Sequence, residues 1–180
     1  MKKLKKIHGG KPNGFTLIEI LVAMAIAAIL LSLITGYING GFFGAGEATI
    51  NNHLTGLISA TKSVKDRNGY GDGKANVNLV PSLIKREKIP GSMKRVGDVL
   101  KNDYSGEYTV VSTTGGFGYE VGATNLPVAI CISAVAMQSN AGVANTIKIN
   151  SNTFNGQVSN AQADAACNQE KNVISFIVNG

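Results

Sequence analysis

The feature that most constrains this chain is the apolar run at residues 15–34, which holds one charge, Glu19, in about 20 positions. At a helical rise of 1.5 Å per residue such a run is about 30 Å long, the thickness of a bilayer's hydrocarbon core. The segment is therefore expected to span a membrane. Before it the chain is basic, and beyond Gly46 it becomes compatible with water. A carboxylate one turn inside an apolar helix costs about 2.5 to 3.5 kcal/mol on insertion scales, so Glu19 is expected to have a partner. Cleavage between Gly14 and Phe15 creates one, because the new α-amino group of Phe15 is a cation one turn away. That amine can also lie beside the Glu19 of a neighbouring copy, which builds register into an assembly.

The five leader lysines, Lys2, Lys3, Lys5, Lys6 and Lys11, account for most of the formal net charge of +6. Without them 12 of the 17 Lys and Arg remain, against 11 Asp and Glu. The basic balance is thus a topology signal that holds the N-terminus on the cytoplasmic side and places the remainder across the membrane. It gives little reason to expect nucleic acid. Residues 47–101 carry ten basic and five acidic groups, and residues 102–180 two and five. Such asymmetry allows opposite surfaces of two copies to meet head to tail, although a solvated domain produces it as readily.

An ordinary secretory signal explains the basic start and the apolar run, with cleavage on the far side. It has no use for a glutamate inside the run, and no clean small-x-small site follows Ile34. A Lys-rich leader ending in Gly14, followed by Phe15-Thr16-Leu17-Ile18-Glu19 and a long apolar helix, resembles instead the class III signal of type IV prepilins. That resemblance implies that a prepilin peptidase cuts between Gly14 and Phe15 and N-methylates Phe15. It also implies that Glu19 helps to dock the subunit into a filament. The implied partners are other copies of the chain, the peptidase and the inner-membrane assembly machinery.

Gly36, Gly40, Gly41, Gly44 and Gly46 follow the run, and each weakens a helix by up to about 1 kcal/mol relative to alanine. By resemblance the anchor helix partly melts here on assembly; the alternative is that small residues let helices approach closely. Ile50, Leu54, Leu57, Ile58 and Val64 then recur at helical spacing. They predict an amphipathic continuation to about Arg67, with Glu47, Asn51, Lys62 and Lys65 on the polar face. His53 lies on or near the apolar face and is read as a packed side chain, not a catalytic one. The organisation expected is a cleaved leader at 1–14, a hydrophobic helix at 15–46, and the amphipathic half of that helix plus a globular head at 47–180.

Within the head, residues 78–102 predict a short helix and then a turn into extended chain, by Leu79, Leu83, Ile84 and Pro90-Gly91. Residues 108–112 and 117–121 alternate about Thr113-Thr114-Gly115-Gly116, a hairpin signal. Residues 128–137 predict a helix opened by Pro127, with a buried strand as the alternative. Residues 146–154 read as one alternating segment, Ser159 and Gln162 form a capping box, and 172–178 close the chain as a strand. Cys131 and Cys167 lie beyond the membrane segment, in the oxidising compartment on this topology, so a disulfide is expected rather than two buried thiols. The region between them is similar to the disulfide-closed lobe of type IVb pilins, and residues 79–93 resemble the loop between helix and sheet in that class. Phe15 as first residue follows the type IVa habit.

No enzyme signature is intact. Gly73-Lys74 lacks the P-loop spacing, Gly116-Phe117-Gly118 lacks a third glycine, and no zinc or triad spacing occurs. Asp66, Asn68 and Asp72 offer oxygens for calcium without the EF-hand spacing, and turn formation explains them equally. No cofactor or metal is expected. The expectation is an α+β fold with a long N-terminal helix on a small antiparallel sheet, serving as the major subunit of a type IV pilus of the PilS or toxin-coregulated-pilin kind. The alternatives are a minor pilin, a type II secretion pseudopilin, or a membrane-anchored binding protein that never polymerises.

Overall fold

The computed structural model describes the backbone of residues 17–180, and the side chains of 17–30 and 44–180. Gly14 and Phe15 lie outside the described residues, as do the surroundings of Gly36, Gly40 and Gly41. The chain divides into two compact units, residues 1–42 and 43–180.

Helix α1 (Leu17–Lys62) enters from the first unit and continues into the second. In the first unit its described side chains at 17–30 are all exposed, including Leu17 at 79% and Met24 at 68%. Among the described residues no helix is long and apolar enough to cross a membrane. The described apolar stretch is only part of the expected span, because the side chains of 15, 16 and 31–34 fall outside it.

In the second unit Ile50, Leu54, Leu57, Ile58 and Val64 are buried, as their spacing predicts. The helix stops at Lys62, short of the Arg67 expected. Thr61 and Ser63 turn their hydroxyls back onto the carbonyls of Leu57 and Ala60. The chain then folds over in an Asp66–Gly69 bridge with Gly69 at φ 94. Asn51, expected on the wet face, is buried instead.

A short helix α2 (Val80–Lys85) follows, with its proline in the first turn where no backbone N–H is missed. Seven strands then form one antiparallel sheet: β1 (Lys94–Val96), β2 (Val99–Lys101), β3 (Glu107–Ser112), β4 (Gly118–Leu126), β5 (Thr146–Ile149), β6 (Asn152–Asn155) and β7 (Asn172–Asn179). Their order is β1-β2-β3-β4-β7-β5-β6, so the last strand enters the middle of the sheet. The expected single segment at 146–154 is two strands, because Asn150 adopts φ 53 and turns the chain, a left-handed conformation that asparagine tolerates. The β3–β4 hairpin matches expectation except at its tip. There Thr114–Gly116 form a 3-10 turn and Phe117 stays outside the strand.

Helix α3 (Val128–Asn140) takes the helical alternative, with Pro127 as its N-cap, and α4 (Asn160–Ala166) carries the predicted capping box of Ser159 and Gln162. Cys131 in α3 and Cys167, the residue that ends α4, form a disulfide with Cα atoms 5.9 Å apart. The core is one cluster that joins the α1 stripe to Tyr108, Val110, Tyr119, Val121, Ile174 and Phe176 of the sheet, and to Ile130, Ala134 and Val135 of α3.

Candidate functional site

Glu19 sits in the first turn of α1, where a carboxylate is favoured by the helix dipole. With it Ile20, Ala23, Met24 and Ala27 line a shallow hollow of about 400 Å³. Nine large apolar side chains of 17–30 are each half or more exposed. A helix that is apolar on every side buries nothing by itself in water, so this surface needs lipid or other apolar helices around it.

The α1–α3 junction is polar. Ser133 Oγ donates to Glu47 Oε1 and can therefore only accept from Asn51 Nδ2, at 3.3 Å. That fixes the Asn51 amide and leaves its Oδ1 buried without a donor. Further along, Gln138 Nε2 donates to Thr55 Oγ1 at 2.9 Å. Around Gly44, Glu47, Ala48, Asn51, Asn52 and Met137 the surface opens into a groove of about 280 Å³.

His53 is packed, as read from its position. Its ring nitrogens meet Tyr108 Oη at 3.0 Å and Ser92 Oγ at 2.9 Å. Burial pushes its pKa down, with the carboxylate of Asp103 acting in the opposite sense. Burial, Asp103 and Tyr104 all push the Tyr108 phenol up. The ring is held between two hydroxyls, which ties α1 to β3 and to the loop before β1. Asp66 Oδ1 accepts from the Asn68 N–H at 2.8 Å, a turn bond, and no metal-ligating group is assembled among the described residues.

Glycines of α1 differ in what surrounds them. A Cβ on Gly46 would collide with the Tyr104 hydroxyl, and one on Gly56 would lie 2.8 Å from Pro90 Cγ. One on Gly44 meets open space.

The chain was compared with known proteins. The family model described as "PilS N terminal" matches residues 45–179, and the "Prokaryotic N-terminal methylation motif" matches residues 10–35. The chain belongs to the PilS family of type IV pilins. The fold of this pilin is similar to the crystal structure of type IVb pilin from Salmonella typhi, at 21% identity and a TM-score of 0.58. The match covers 74% of this chain and 98% of that one. No curated protein matches the chain. The long helix, the antiparallel sheet and the Cys131–Cys167 bridge of this pilin agree with the architecture read from its sequence. Family and fold are those of a structural subunit rather than an enzyme.

Two features of the pilin escaped the sequence reading. The Glu47–Ser133–Asn51 chain joins residues 86 apart, and only the absence of any charged residue in α3 hinted that a face of that helix is covered or apolar. Phe117, 70% exposed at the hairpin tip, read as a strand residue because it fits the alternation.

Proposed function

We propose that this pilin is the major structural subunit of a type IV pilus and is processed between Gly14 and Phe15. The precursor is anchored in the bacterial inner membrane by residues 15–34, with the disulfide-closed head on the periplasmic side. A prepilin peptidase removes the basic leader and methylates Phe15. The assembly machinery then moves the helix from lipid into a bundle of its own kind, producing an extracellular filament.

The observation that carries this reading is the described first part of α1. Its apolar side chains are exposed on all sides, with a carboxylate in the first turn and small residues beside it. Exposed apolar area is stabilised at about 25 cal/mol per Å² when it leaves water, so a copy packed in lipid or against other copies is strongly favoured over one in solution. In such a bundle Glu19 of one copy pairs with the new α-amino group of a neighbour, which sets the stagger. The head contributes the surface and no catalysis.

The test is the N-terminal residue and intact mass of the protein from cells with and without an active prepilin peptidase. The expected product begins at methylated Phe15 only where the peptidase is active. A product that begins downstream of Ile34 in both strains makes the helix a discarded signal and ends this reading.

A further inference from the structure

The two ends of the head carry features that complement one another. At the C-terminal end of α1, Lys62, Lys65 and Arg67 are exposed, and none makes an ion pair with a described residue. Phe117 stands beside Lys65, as three observations show. The Tyr70 N–H donates to Gly116 O at 2.7 Å, Lys65 Nζ lies 5.9 Å from the Tyr70 ring centroid, and a Cβ placed on Gly180 would meet both Lys65 Nζ and the Phe117 carbonyl. The tip packs closely on residues 69–73, since a Cβ on Gly69 would collide with the Gly116 carbonyl and one on Gly116 with Gly73 and the Tyr70 carbonyl. It presents an exposed aromatic ring with the Lys65 ammonium nearby.

At the other end of the same helical stretch, about 22 Å away by the rise from Glu47 to Lys62, lies the α1–α3 groove. It holds the half-exposed thioether of Met137, the methyl of Ala48, the Glu47 carboxylate and the Asn51 amide whose buried Oδ1 has no donor. A cavity of about 150 Å³ already takes a benzene ring, and the groove has about 280 Å³. Sulfur beside an aromatic edge is a favourable contact. The Glu47 carboxylate is an acceptor, which suits an ammonium or guanidinium group.

We propose that tip and groove are the two halves of a head-to-tail contact between copies of this chain. The Phe117 ring of one copy enters the groove of the next against Met137, while Lys65 beside it faces Glu47. The contact uses different surfaces on each copy, so it leaves one tip and one groove free and propagates without closing. This deepens the assembly reading above and rests on it.

The test uses the full-length chain produced together with an active peptidase and assembly machinery, with sheared filament measured against total chain. Phe117→Asp removes the anchor at an exposed position. Gly44→Leu fills the groove mouth from a residue whose Cβ meets open space. Each is expected to lower filament yield by about tenfold or more, the scale of losing one interface anchor, while the Cys131–Cys167 bridge still forms. In a second measurement, Gly44→Cys and Thr114→Cys in one chain are expected to give an oxidation ladder of dimers, trimers and longer species, where either cysteine alone gives none. Wild-type filament yield in both single variants, or no ladder from the double variant in a chain that assembles, overturns the contact and leaves the pilus reading standing. A wild-type chain that forms no filament beside an active peptidase overturns both.

Discussion

The hydroxyl of Tyr119 donates to the carbonyl of Ile58 at 2.8 Å, a bond from strand β4 into the flank of α1. That carbonyl has a second lone pair beyond its helical bond, so the phenol adds a tie without breaking the ladder. Burial, with Tyr70 as a smaller contributor, pushes the phenol up to about 12. Tyr119→Phe should therefore fold and lose about 1 kcal/mol, readable as a lower urea midpoint with an unchanged slope. His53 gives a pH dependence of definite sign. Its folded pKa is lowered from 6.5, so the unfolded chain binds the proton more readily. The stability it contributes is present above pH 6.5 and is lost as pH falls below that value. Urea midpoints taken from pH 8 to pH 5 should drop below pH 6.5, and His53→Gln should remove that part of the drop. The residues that carry these effects differ in how far the sequence shows them. His53 reads as packed because it sits at helical spacing beside Ile50, Leu54 and Leu57. Asn51 reads as solvent-facing for the same reason that any polar residue at that spacing does, and only α3, 82 residues away, makes it interior.

At the scale of elements, period is what made the chain legible. The α1 stripe, the capping box of α4 and the β3–β4 alternation are local patterns, and each forms where it was expected except at Phe117, which falls outside the strand. Boundaries depended on single residues in unusual conformations, so they were not legible. Asn150 at φ 53 divides β5 from β6, and Gly69 at φ 94 folds the chain back after α1. The glycines of α1 look alike in sequence and differ in structure, which separates two explanations of their density. Gly46→Ala meets the Tyr104 hydroxyl and should destabilise the head, whereas Gly44→Ala meets nothing and should be neutral or stabilising by up to about 1 kcal/mol from helix propensity. Thermal unfolding of the two variants in parallel decides whether close packing or helix weakening governs each site. The disulfide acts at this scale too. Opening its loop through a Cys131→Ser, Cys167→Ser pair should cost about 3 to 4 kcal/mol on the chain-entropy account, seen as a lower Tm.

For the whole molecule, the division at residues 42 and 43 separates two kinds of surface. The described part of the first unit has its apolar side chains outside, and the second has a contiguous core from Ile50 to Phe176 with a disulfide across it. Stability of the head should therefore not depend on the anchor. A chain beginning at Phe43 keeps every core residue, the bridge and all three described ion pairs. Exposed pairs contribute little, so the apolar core and the bridge are what must hold it. Produced in an oxidising compartment, this fragment is expected to remain in solution without detergent, unfold in one cooperative transition, and show antiparallel-sheet and helix signals by circular dichroism. The full chain without its leader should need detergent or assemble, because the apolar side chains described at 17–30 lie open along α1. Size-exclusion chromatography of the two proteins separates the outcomes. A fragment that aggregates or fails to form the Cys131–Cys167 bridge makes the anchor part of the head's fold. A fragment that stays monomeric while the full chain does not assigns the drive for association to the N-terminal helix. The tip-to-groove contact is then left to direct an assembly that the helix makes favourable.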